Sequence, residues 1–236
     1  MQFSVKSTAV AFCVASLAAG AALSQAVELV PYAELEGELT ARIDFESYAK
    51  MPSPGLPLDG VEVFDGARFA ERFKGQLAVQ RAGFDDLLAA PVAPLTLEPG
   101  PPGQNLAVMF IYFMTNQLKG MAPPGYPEEE AGGEGAVSVL FDRDQSALGF
   151  RVTSEPKPLV AGVPKGQMVV AFYRRDGLLL DRLVVDLDWV LGSYGFRRVG
   201  GVEDIAGISI TNRDPAGVAI DDVIFDRNAV VSWLLP

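Results

Sequence analysis

Histidine is absent from all 236 residues, and cysteine occurs once, at position 13. These shortages remove the Ser-His triad, the imidazole base and the His or Cys ligands that zinc and iron sites use. Any metal is then restricted to hard cations held by oxygen. Basic residues are also scarce, with 19 Lys and Arg against 30 Asp and Glu and a net charge of -11. That excess repels phosphate backbones and anionic lipid, so nucleic acid and membrane surfaces are poor partners. Long apolar runs are missing beyond the first 26 residues. The run Leu106 to Met114 falls far short of the roughly 20 residues that a membrane-crossing helix needs.

The leader differs from the rest. Lys6 supplies a positive start, Thr8 to Ala22 is small and apolar, and Ser24-Gln25-Ala26 resembles a signal peptidase site before Val27. Residues 1–26 are expected to be a secretory signal, with one domain over 27–236 and a secreted or periplasmic location. Cys13 follows Phe12 and has little apolar sequence before it, so a lipid anchor there is disfavoured. Removing the leader takes Lys6 and no acid, which moves the net charge from -11 to -12. It also takes the cysteine, so the exported domain must hold together by its core, or by core and metal, without disulfides.

The remainder alternates short Val, Ile, Phe and Leu runs with turns rich in Gly, Pro, Asp and Asn, the pattern of an all-β sandwich. Strands are predicted at 40–46, 60–64, 106–114, 136–142, 147–153, 167–174, 178–186, 193–198, 206–211, 218–225 and 229–233. Arg174-Arg175-Asp176-Gly177 places Asp-Gly between two apolar runs, as a tight hairpin requires. Longer turns at 142–146 and 211–217 imply antiparallel neighbours. Loops are expected at 51–58, 91–105 and 119–135, the last acidic and solvated. Residues 69–73 and 83–88 read as short helical turns. Glu34, Glu36 and Glu38 read as a solvated edge or tail.

Two segments set carboxylates among β-branched and aromatic residues: Ile43-Asp44-Phe45-Glu46 and Val218-Ala219-Ile220-Asp221-Asp222-Val223. On a strand, residues i and i+2 share a face, so Asp44 and Glu46 are expected to point one way. By the same rule Asp221 and Asp222 fall on opposite faces. If the two strands are neighbours, Asp221 or Asp222 can join Asp44 and Glu46 around a calcium ion, with carbonyls from the 51–60 loop completing its six to eight oxygens. Pairing with Arg42, Arg68 or Arg72 is the ordinary alternative, and a catalytic carboxylate pair is the third.

These residues resemble the first-strand acidic pair and last-strand Asp of calcium-stabilised jelly-roll domains, the group containing carbohydrate-binding modules and MAM-type extracellular domains. That resemblance implies a jelly-roll β-sandwich with a structural Ca²⁺ held by Asp44, Glu46, Asp221 and, less directly, Asp222. Residues 136–226 are further similar to exported bacterial jelly-roll proteins of unknown function. Many of those end in a Pro-Glu-Pro sorting signal, which the terminal Ala229 to Pro236 does not match. The reading is an exported, non-catalytic binding or structural domain. A carbohydrate-binding module that stacks a glycan or cell-surface polymer on Trp189 or Tyr194, with Trp233 a further candidate, is the alternative. A carboxylate-based glycoside hydrolase comes third, because Arg42-Ile43-Asp44-Phe45-Glu46 is similar to a glucanase signature but carries Arg42 where the nucleophile belongs.

Overall fold

The computed structural model describes residues 25–111, 114–154, 156, 162 and 164–227. Among them the chain forms β1 (Val27–Val30), α1 (Tyr32–Glu38), β2 (Ala41–Ile43), β3 (Leu56–Leu58), β4 (Glu62–Phe64), β5 (Ala67–Ala70) and β6 (Arg72–Phe73). There follow β7 (Leu77–Arg81), β8 (Phe84–Leu88), β9 (Leu97–Glu98), β10 (Leu106–Phe110), β11 (Asn116–Gly120) and β12 (Val137–Gln145). The last six are β13 (Ala147–Thr153), β14 (Gln167–Tyr173), β15 (Leu179–Asp186), β16 (Leu191–Arg198), β17 (Ile205–Asn212) and β18 (Ala219–Phe225). The predicted strand 229–233, with Trp233, lies outside the described residues.

Two antiparallel sheets carry the fold. The larger runs β1-β16-β13-β18-β11-β10-β3, with β2 also on β18, and the smaller runs β15-β14-β17-β12-β5-β4. Their inner faces share one core: Val108, Leu118, Val152 and Ile220 from the first meet Val139, Val170, Phe172 and Ile208 from the second. Rings fill the wide places edge-on, as Phe45 does against Phe64 and Phe69, with centroids 5.5 Å away in each case. This is an all-β antiparallel sandwich.

Both outer faces are partly covered, which explains why so many strands read as continuous apolar runs rather than strict alternation. On the smaller sheet, Phe73, Leu95 and Leu97 pack over Leu140, Ala171, Tyr173 and Ala206. The expected helical turn at 69–73 is therefore strand instead, split between β5 and β6, because its aromatics are needed on two different layers. Residues 83–88 likewise form the second arm of the β7–β8 hairpin rather than a helical turn.

On the larger sheet α1 lies across β13 and β16, packing Tyr32 and Leu35 on Ala147 and Ile224. Gly149 and Gly195, opposite each other in the ladder, make the seat. A Cβ on Gly149 would meet Tyr32 Cδ2 at 2.9 Å, and one on Gly195 would meet Leu35 Cδ1 at 3.0 Å. The glutamates expected in a solvated tail are thus on a docked helix: Glu34 and Glu38 pair with Arg197 at 3.2 and 2.8 Å, and Glu36 pairs with Arg42.

The acidic segment 119–135 is not a free loop. Met121 bridges to Gly132, and Met121 and Ala131 are buried against Ala107. Its glycines allow this closeness, since a Cβ on Gly120 would meet the Gly135 carbonyl oxygen at 2.3 Å. Among the described residues no helix is long and apolar enough to cross a membrane.

Candidate functional site

The first acidic segment leaves the sheet early. β2 stops at Ile43, and Phe45 takes a φ of 57°, which lets its ring enter the core, where it is 1% exposed. Asp44 and Glu46 therefore do not share a strand face, and that expectation is corrected. Asp44 is exposed and, among the described residues, accepts only the Glu46 N–H, at 3.2 Å. Glu46 turns back over β11 instead.

There Glu46 and Asp221 meet through one side chain. The Thr115 hydroxyl lies 2.8 Å from Glu46 Oε1 and 2.9 Å from Asp221 Oδ2. A hydroxyl has one hydrogen, so it donates to one carboxylate at a time. The Asn116 backbone N–H donates to Glu46 Oε1 at 2.7 Å, and the Asp222 N–H donates to Asp221 Oδ1 at 2.7 Å. The Asn116 carboxamide N–H groups go to the carbonyls of Phe45 and Tyr48, and its Oδ1 is buried without a partner. The Lys50 ammonium stands 3.9 Å from Glu46 Oε2, on the solvent side of the junction.

Electrostatics separates the two acids. Hydrogen bonds from Asn116 and Thr115 hold the Glu46 carboxyl below its ordinary range. Burial pushes Asp221 up to about 6, against the pull of the Asp222 N–H and Thr115, and the charges of Asp222 and Glu46 push the same way as burial. Asp221 is 6% exposed. The arrangement can share a proton or take a cation. Two carboxylate oxygens on one hydroxyl are closer together than the roughly 6.5–9.5 Å between the carboxyl groups of an inverting glycosidase.

Asp222 belongs to a different set. β18 bulges at this point: the register against β13 shifts between Gly149 and Arg151, and Asp222 has a φ of 46°. Ile220, Val223 and Phe225 all reach the core as a result, whereas simple alternation would have put Asp222 on the side of Ile220. Its carboxylate is held by Arg151 at 2.6 Å and Arg42 at 3.6 Å, and Arg151 lies over the Tyr32 ring at 5.2 Å. Arginine pairing accounts for Asp222. Of the four expected ligands, then, the structure brings Glu46 and Asp221 together, leaves Asp44 at the surface and assigns Asp222 to two arginines.

The aromatic candidates separate as well. Tyr194 is 5% exposed and its hydroxyl accepts the Asp188 N–H at 2.7 Å, so its ring has no face to offer a ligand. Trp189 is half-buried on the β15–β16 connection. Sequence reading missed Thr115 and Asn116 altogether. The signal available was the polar triplet Thr115-Asn116-Gln117, which interrupts the apolar run that begins at Leu106. Among the described residues no three Asp, Glu, His or Cys side chains are grouped to hold a metal, so an ion here would draw on hydroxyl and backbone oxygen too.

No protein-family profile and no curated protein matches the chain. Among solved structures it is similar to the arabinose-bound MgGH51 a-L-arabinofuranosidase, at 13% identity and a TM-score of 0.31. The match covers 80% of this chain and 30% of the other. A score that low carries no argument about fold or activity.

Proposed function

We propose that this chain is an exported, non-catalytic binding or structural domain of jelly-roll type, in which a Ca²⁺ ion links Glu46, on the segment after β2, to Asp221 on β18. The observation that carries this reading is the meeting of two carboxylates from distant segments on the one Thr115 hydroxyl, which can donate to only one of them at a time. Oxygen-only donors of mixed kind suit a hard cation that takes six to eight ligands in flexible geometry. Glu46, Asp221 and Thr115 are the residues that would hold it, with backbone oxygens completing the set. The ion would tie the N-terminal segment to the last strand of the larger sheet.

A ligand that binds only the folded state stabilises it by mass action. Millimolar Ca²⁺ is therefore expected to raise Tm relative to chelator. Glu46→Gln and Asp221→Asn should each remove most of that rise, and Asp44→Asn should leave it. Superimposable melting curves with calcium and with chelator would sink the metal reading. Hydrolysis of common polysaccharides or esters is expected to be absent, and turnover abolished by Glu46→Gln in a protein with an unchanged circular dichroism spectrum would replace the non-catalytic reading with an enzymatic one.

A further inference from the structure

Beyond the acid pair, the outer face of the larger sheet carries a second feature. β10, β11, β18 and β13 lie side by side, and a row runs across them: Ala107 opposite Lys119, Lys119 opposite Ala219, and Ala219 opposite Thr153. Ala219 supplies a low floor there. A groove of about 370 Å³ opens above it, with Met109, Phe110 and Ile111 among its walls. Its size and mainly apolar lining are those of small-molecule sites, which add a few polar groups to fix orientation.

Two such groups are present and unexplained. Gln117 and Thr153 both line this groove, and the Gln117 side-chain carbonyl and the Thr153 hydroxyl are buried without a hydrogen-bond partner. Gln117 is 1% exposed. Folded proteins seldom leave such atoms unpaired, because the bond to water is given up with nothing in return. Lys119 also lines the groove, and its ammonium is engaged by the Gly132 carbonyl at 3.3 Å.

We propose that this groove binds a small neutral amphiphile, its apolar body against Met109, Phe110 and Ile111 and its head group donating a hydrogen bond to Gln117 Oε1 beside Thr153. A carboxylate head would set like partial charge against that carbonyl. A sugar ring would press a rim of hydroxyls onto alkyl walls that cannot bond them. This site is separate from the Glu46–Asp221 junction and does not depend on an ion there.

Calorimetric titration of the full chain with octanamide tests the proposal, with methyl octanoate and cellobiose as comparisons. Saturable octanamide binding is expected, about tenfold or more tighter than methyl octanoate, which has the same body without a donor. Gln117→Leu should bring octanamide down to the level of the ester, and Ala219→Phe, which fills the floor, should abolish both. Should Gln117→Leu melt early by circular dichroism, Thr153→Val reads out the same loss of head-group preference. The proposal is overturned if folded wild-type protein shows no saturable octanamide binding, meaning that water alone occupies the groove. Equal affinity for amide and ester, tighter binding of cellobiose, or octanamide binding untouched by Ala219→Phe would overturn it equally.

Discussion

Asp221 holds a proton to about pH 6 in the folded chain, well above the value near 3.9 that an unfolded aspartate has. The folded state therefore binds more protons than the unfolded state between those values, and stability falls as pH rises through that window. Over the full window the loss is about 3 kcal/mol, from two pKa units at about 1.4 kcal/mol each. Glu71 and Glu134, both pushed up to about 7 chiefly by burial, extend the decline toward neutrality. In chelator, Asp221→Asn is expected to flatten the pH 4 to 6 part of the stability curve and to exceed wild type above pH 6, as measured by urea unfolding at a series of pH values. Calcium should help wild type most above pH 6, where the carboxylate is free to bind it. An unaltered slope in the variant would show that other groups set the decline. Asp221 stood out in the sequence as an acid within an apolar strand. Its partner did not, because Thr115 lies 106 residues away, and Asp222 was misplaced because a two-residue alternation rule cannot see a bulge.

Strands were the most legible elements, since each had to supply a long apolar run to a face that is buried. β13 begins and ends where the sequence predicts, and β14 and β15 fall within one residue of expectation on either side of the Asp176-Gly177 turn. Failures cluster where one layer gives way to another. The α1 helix was missed because its seven residues offer only Tyr32 and Leu35 to the interior, too few for a helical period to show. Its existence depends instead on Gly149 and Gly195, which lie more than a hundred residues away in sequence. Gly149→Ala is accordingly expected to cost about 1–3 kcal/mol, as overpacking does, because the new methyl would meet Tyr32 Cδ2 at 2.9 Å and the Tyr194 carbonyl oxygen at 3.0 Å. Denaturant melts would give the loss. Hydrogen exchange should locate it in α1 and the β13–β16 ladder. Protection lost in β14 or β17 instead would mean that α1 docking was not what the methyl disturbed.

At the scale of the whole molecule, the lack of histidine was enough to exclude imidazole chemistry and the alternation of apolar runs and turns to indicate an all-β class, while the way the N-terminal segment is fastened was invisible. Val27 is fully buried and opens β1, which pairs with β16. The backbone nitrogens of Ala26 and Val27 both donate to Asp181 Oδ2, at 2.6 and 2.8 Å. Asp181 thus stands at the bond that signal peptidase is expected to cut. Cleavage after Ala26 would turn the Val27 amide into an ammonium group beside that carboxylate, replacing two neutral-donor bonds with a charge-assisted pair. It would also remove the Ala26 carbonyl, which accepts from Arg198 and from the Val199 N–H. Asp181 then adds a charge-assisted tie to the β1–β16 ladder, and removing it takes the partner from a part-buried ammonium, at a cost of about 1–3 kcal/mol. Mass spectrometry of exported protein is expected to find Val27 at the N-terminus. Asp181→Asn should lower Tm more in that cleaved form than in uncleaved chain purified from the cytoplasm. Equal losses in the two forms, or a start elsewhere than Val27, would show that Asp181 fastens an ordinary strand end rather than a processed terminus.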